Sequence, residues 1–313
     1  MSESFKPAPL CHIVESNIAG WRAHRIRQAL NGPLAVVTEG YLSPVADLWV
    51  RLHQRHGRPA WHLSSAEYCE TRLPSDARTL LLCNEGRHHD MLCAFRHALS
   101  VGSSTHVVTH HGRSAIAALM REHLPDNEVF LLERLLGRRP IPDLMRLLPY
   151  IVLSCTVTGF PVPYAECFSV RPPIEPPLQR YEHFVIFAKG LARPAAMDFA
   201  CRINERRLAP ASVHDLRSFA HGAAAAYDAA TTCFVFFCMP SHIRYAESYR
   251  AKLPNGTATT LVPTTRSGVH GAISLLARAA RLAESMSEFP RATAQVGTDW
   301  VRNLYLLAVD NDQ

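Results

Sequence analysis

Apolar residues recur along this chain in two rhythms. Short unbroken runs, PLAVV (33–37), TLLLC (79–83), THVV (105–108), FVIFA (184–188) and TCFVFFC (232–238), have the length and composition of strands buried on both faces. Between them apolar groups return every three or four positions, the spacing of one helix face. The pattern predicts a helix over 15–30 that stops at Asn31-Gly32, a strand ending at Gly40, a helix over 44–56, strands over 58–65 and 79–84, a helix over 88–100, a strand over 105–110 and a helix over 114–122. After a Leu/Arg-rich stretch expected to be helical comes VRPPIEPPLQ, with four prolines in six positions, which excludes regular structure. The first pattern then returns: strand 183–190, helix 194–208, a loop and a helix, strand 232–239, helix 241–252, strand 257–264, helix 269–287. Strands alternating with helices define an α/β fold with parallel sheets covered on both faces, and its two copies suggest internal duplication.

Composition narrows the class. The chain has 313 residues, 48% of them apolar, enough for two domains with a sizeable core. Its formal charge of +6 comes from 33 basic and 27 acidic residues scattered without a dominant block, which argues against a dedicated nucleic-acid binder. Nine cysteines, an odd number without CxxC spacing, read as reduced core thiols of a cytoplasmic protein. No signal peptide or membrane span is expected, because the most apolar long segment, 144–163, is broken by Arg146 and prolines. The chain has no Walker motif, GxGxxG or nucleophile elbow, so no cofactor is implied. The pairs His88-His89 and His110-His111 lack the spacing of a helical metal pair, and no metal is expected.

The line FVIFAKGLARPAAMDFACRINERRLAPASVHDLRSFAHG carries a resemblance. It resembles the second sugar isomerase (SIS) domain of the isomerase module of glucosamine-6-phosphate synthase and of related deglycases and deaminases. A strand ends in a glycine turn, a helix carries a spaced acidic pair, and a polar turn ends in HG. Here the pair is Asp198 and Glu205, seven apart and so on one face, and His221-Gly222 follows sixteen positions after the glutamate. The closing TDWVRNLYLLAV is similar to the family's last segment through Asp299, Arg302, Asn303 and Leu304. In the first half TEGYLSPVAD stands where the family has its G-T-S turn, and LLLCNEGRHHD where it has L-x-S-Q-S-G-E-T-A-D. The resemblance implies two flavodoxin-like SIS subdomains: an N-terminal helical segment over 1–30, a first SIS domain over 31–123, a helical and Pro-rich connection over 124–180, and a second SIS domain with C-terminal tail over 181–313.

It also implies chemistry. Aldose–ketose isomerisation, or release of an amine from a sugar adduct, needs a base that moves a proton between adjacent carbons and a group that serves the oxygen or leaving amine. By resemblance Glu205 is that base and His221 its partner, contributed by the second subunit of a homodimer. Ser43, Cys83, Asn84, Glu85, Gly86, Arg87 and His88 stand at the substrate-binding turns. Alone, a helix-borne glutamate is a solvated surface group; its spacing to His221-Gly222 and the RNL segment favours the functional reading. Three departures alter the expectation. Leu306 replaces the lysine that forms an imine with ketose, so deglycase or deaminase chemistry gains weight. Glu85 stands where a phosphate would sit, a repulsive arrangement that points to hydroxyls, an amine, or an anion met by Arg87 and His88. The G-T-S turn keeps only Ser43 as a hydroxyl. The competing reading is a catalytically silent SIS-type protein that binds a sugar ligand and regulates a partner; a third is an enzyme of specialised metabolism acting on an amino-bearing substrate.

Overall fold

A computed structural model describes residues 31–84, 86, 88–109, 114–124, 129–131, 178 and 181–287. The helix expected over 15–30, most of the 124–180 connection and the C-terminal RNL segment lie outside the described residues.

In the first half β1 (Leu34–Thr38), α1 (Ser43–Arg55), β2 (Ala60–Leu63), α2 (Ser65–Glu70), β3 (Arg78–Cys83), α3 (His89–Ser100), β4 (Thr105–Thr109), α4 (Ala115–His123) and β5 (Val129–Leu131) follow in order. The strands form one sheet in the order β2-β1-β3-β4-β5, all parallel. The second half repeats this with β6 (His183–Ala188), α5 (Arg193–Glu205), β7 (Ala211–His214), α6 (Leu216–Ala220), β8 (Thr232–Cys238), α7 (Ile243–Arg250), β9 (Ala258–Pro263) and α8 (Gly268–Ser287). Its sheet has the order β7-β6-β8-β9 and is again parallel. The expected α/β architecture is therefore present. In each sheet the order reverses beside the first strand, which opens a crevice at the carboxyl edge.

Alternation along the strands explains the layering. Leu34, Val36, Leu80 and Leu82 join Phe184, Ile186, Val235 and Phe237 in one core between the sheets, with Trp49 and Leu52 of α1, Phe199 and Ile203 of α5, and Leu276 and Leu282 of α8. The intervening residues face outward. Val37 and Leu81 meet Met91 and Phe95 of α3, and Val185 and Phe187 meet Phe219, Phe236 and Tyr249. Within the shared layer Arg202 donates from Nε to the Asp198 carboxylate at 2.6 Å, with Arg202 wholly buried. Asp198, flagged in the sequence as half of an acidic pair, is thus engaged in an ion pair one turn along its own helix.

Three elements depart from the sequence pattern. Residues 211–214, expected as loop, form edge strand β7; ASVH is short and half-buried, so it shows no apolar run. The strand expected over 58–65 ends at Leu63, because a reciprocal cap between Ser64 and Glu67 starts α2. Residues 129–131, within the stretch expected to be helical, form β5 and pair with β4.

The duplication is literal at an offset of 150 residues. Gly40 and Gly190 have φ of 60° and 59°, each opens a 3-10 turn, and each turn runs into a 13-residue helix with proline in its first turn. Both helices end in a Schellman turn: Arg58 N–H bonds His53 C=O at 3.1 Å with Gly57 N–H on Gln54 C=O at 3.0 Å, and Leu208 N–H bonds Ile203 C=O at 3.0 Å with Arg207 N–H on Asn204 C=O at 3.0 Å. The left-handed residue is Gly57 in the first copy (φ 70°) and Arg207 in the second (φ 53°). A side chain in that conformation costs about 1 kcal/mol. Arg207→Gly is expected to raise the thermal midpoint, by up to about 1 kcal/mol of stability; a lower midpoint in a melting experiment would mean that the arginine side chain supplies more than the strain removes.

His53, on α1 beside Trp49, is buried, and burial, aided by the nearby cations Arg58 and His56, pulls its pKa down to about 4. The unfolded chain takes up this proton near the ordinary value of about 6.5, so stability is lost as pH falls from 6.5 towards 4, by up to about 3 kcal/mol from this group. Burial lowers His62, His214 and His242 as well. Urea unfolding between pH 7 and 4 is expected to lose stability throughout, and His53→Gln to flatten that slope.

Candidate active site

The first sheet's carboxyl edge gathers the substrate-binding turns expected from sequence. Ser43 opens α1 directly after the Gly40 turn and is half-buried. Asn84 leaves β3, and its carbonyl accepts from the Thr109 hydroxyl at the end of β4 at 2.7 Å. Gly86 has φ 59°, and its carbonyl accepts from Ile116 N–H of α4 at 3.1 Å. A Cβ at this position would overlap the Ile116 side chain, so this turn demands glycine. His88 is exposed and caps α3 without a side-chain hydrogen bond to that helix. Glu85 and Arg87 lie outside the described residues. Cys83, in contrast, is buried at the end of β3, and burial pushes its thiol up to about 12, against the opposing pull of a hydrogen bond with Thr109. Its sulfur faces Met91, Phe95 and Ile116 of the outer core, so within one chain it supports the turn from below.

Sequence reasoning missed Glu39 at this edge. Its carboxylate accepts from Ser65 N–H at 2.7 Å, tying the end of β1 to the start of α2. An acidic residue immediately before a glycine turn was a visible signal.

Glu205 closes α5 and is exposed. The following residue, Arg206, donates to the Ala283 carbonyl of α8 at 3.2 Å, which fixes this helix end. His221 caps the end of α6, is exposed, and precedes Gly222 at φ 135°. Because α5 runs back along the sheet, Glu205 lies at the amino edge of the second sheet, whereas His221 follows β7 from its carboxyl edge.

Two cavities open at the carboxyl edge of the second sheet. One, about 210 Å³, is lined by Phe187, Lys189, Asp215, Arg217, His242 and Tyr245; Asp215 there accepts from Arg217 N–H at 2.9 Å and caps α6. The other, about 640 Å³, lies between the end of α1 (Arg51, Gln54, Arg55) and the turns carrying Gly190, Ser241, His242 and Gly268. The end of α1, held at the start of β2 by the Gln54 hydrogen bond to the Ala60 carbonyl, therefore meets the carboxyl edge of the second sheet.

No family model matches the chain, and no curated protein matches it in sequence. Solved structures share its fold. Glucosamine-6-phosphate deaminase from Thermotoga maritima is 12% identical with a TM-score of 0.67, over 90% of this chain and 93% of that one. The C-terminal domain of glucosamine-fructose-6-phosphate aminotransferase from Francisella tularensis is 11% identical with a TM-score of 0.58, over 88% and 94%. Tagatose-6-phosphate ketose/aldose isomerase from Escherichia coli is 14% identical with a TM-score of 0.57, over 93% and 95%. The fold is thus the two-subdomain fold of sugar-phosphate isomerases and deaminases. Among the described residues no helix is long and apolar enough to cross a membrane.

Burial also pushes Cys233 and Cys238 up to about 12. In the folded protein at pH 8, iodoacetamide is expected to spare Cys83, Cys233 and Cys238 and to modify them only on unfolding, as read by peptide mass mapping. Fast labelling of Cys83 would show that the turn opens in solution.

Proposed function

We propose that the protein is an enzyme of the sugar isomerase, deglycase or deaminase type, acting on a sugar or amino-sugar substrate held at the carboxyl edge of the first sheet. The observation that supports this reading is the strand–turn–helix frame repeated in the two halves. The end of α1 lies against the carboxyl edge of the second sheet, and by analogy with that arrangement we assign the end of α5, with Glu205, to the carboxyl edge of the first, where Ser43, Asn84, Gly86 and His88 stand. There Glu205 takes the proton from one sugar carbon and returns it to the neighbouring carbon, through an enediol or enolamine that the base itself makes accessible. His221 serves ring opening or protonates a departing amine; because it lies at the opposite edge of its own half, a second copy of the chain is its source, in a homodimer with composite sites. Glu39, and Glu85 by its place in the turn, favour hydroxyls or an amine over a phosphate dianion. Solved structures of the same fold named as a deaminase and an isomerase support the class.

The silent, regulatory reading draws on Leu306, which stands at the position of the family's imine-forming lysine. Proton exchange separates the two. Incubated with amino sugars and hexoses in deuterated water, the wild-type protein is expected to introduce deuterium at C1 or C2, seen by NMR. Glu205→Gln is expected to lower that rate about a hundredfold or more while affinity stays within a few-fold. Mixing Glu205→Gln with His221→Ala chains is expected to restore part of the rate. Full exchange in Glu205→Gln excludes the role, and binding without exchange in the wild type favours the regulatory protein.

A further inference from the structure

The two halves repeat in backbone but invert in charge. At the 150-residue offset Glu39 of the first half corresponds to Lys189 of the second, and Glu205 at the end of α5 corresponds to Arg55 at the end of α1. The carboxyl edge of the second half, which carries Lys189, is faced by the end of α1, which carries Arg55. This edge holds the cavity of about 640 Å³, a size suited to a hexose phosphate. Arg51 and Arg55 enter it from α1, and among the described residues no carboxylate lines it. Arg51 is held by Asp47 at 2.6 Å. Arg55 is exposed and makes no hydrogen bond or ion pair among the described residues. Opposite stand the hydroxyls of Ser241 and Ser267 and the backbone of Gly190 and Gly268, where a Cβ would meet open space. His242 lies at the junction with the smaller cavity. Burial and the nearby Lys189 both lower its pKa, and Lys189 itself lines the smaller cavity.

We propose that this cleft is a second, non-catalytic binding site that takes the phosphomonoester of a small polyhydroxylated molecule, with the phosphate on Arg55 and the hydroxyls on Ser241 and Ser267. A guanidinium suits a phosphate because it donates two parallel hydrogen bonds and stays charged at any working pH. For the same reason Arg55 cannot act as a base towards a carbon-bound proton. The cavity and its charge do not depend on whether Glu205 is active.

The test is calorimetric titration of the full chain with fructose 6-phosphate, glucosamine 6-phosphate, inorganic phosphate and fructose. Binding of a phosphorylated sugar, tighter than that of inorganic phosphate or of fructose, is expected. Arg55→Glu is expected to weaken it about tenfold or more, and Ser241→Trp, which fills the cleft, to weaken it comparably. Both variants are first checked for an unchanged melting transition. The proposal is overturned if no phosphorylated sugar binds the wild type at millimolar concentration, if inorganic phosphate binds equally well, or if both cleft variants bind normally. The readout is equilibrium affinity at Arg55, so its failure is distinct from a failure of proton exchange at Glu205.

Discussion

The architecture depends on covering both faces of two parallel sheets, neither of which tolerates water on either side. The inner faces are covered by the same helices. Trp49 and Leu52 on α1, Phe199 and Ile203 on α5 and Leu282 on α8 fill one core against Val36, Leu82, Ile186 and Phe237. A shared layer fixes the halves relative to each other, which is what allows a helix end of one half to serve a crevice of the other. The buried Asp198–Arg202 pair within that layer adds register more than stability, since burying two charges offsets much of their attraction.

Duplication with charge inversion gives the molecule two edges of opposite chemical character. Glycine turns, 3-10 entries and helix lengths are held constant, because they set the backbone positions on which any ligand must sit. Residues that differ at equivalent positions include Glu39 against Lys189 and Arg55 against Glu205. Phosphate affinity and carbon acid chemistry place opposite demands on local potential.

Much of this was legible in the chain. Runs such as TLLLC and TCFVFFC announce doubly covered strands because all of their residues are buried. ASVH does not, because an edge strand of four half-buried residues carries no run to detect. The start of α2 was encoded in the Ser64–Glu67 spacing, a local signal that the longer apolar pattern outweighed. Glu205 and His221 were named through resemblance, not through anything their own surroundings display, since both are exposed. Cys83 stood at the right place in the turn, yet strand alternation directs its sulfur into the outer core. Arg55 becomes visible only in the folded chain, where the end of α1 lines a cleft of the other half.

The left-handed Arg207 closes the helix that carries Glu205, two residues beyond it. If the helix continued through this point, the chain would leave in another direction and the carboxylate would be free to shift along the helix end. One residue of slippage rotates a helical side chain by about 100°. Arg207 thus acts as a ruler: by ending α5 at a fixed count from the Gly190 turn, it sets the angle at which Glu205 leaves the helix. Insertions in this segment would consequently alter the aim of that carboxylate before they altered the packing of the core.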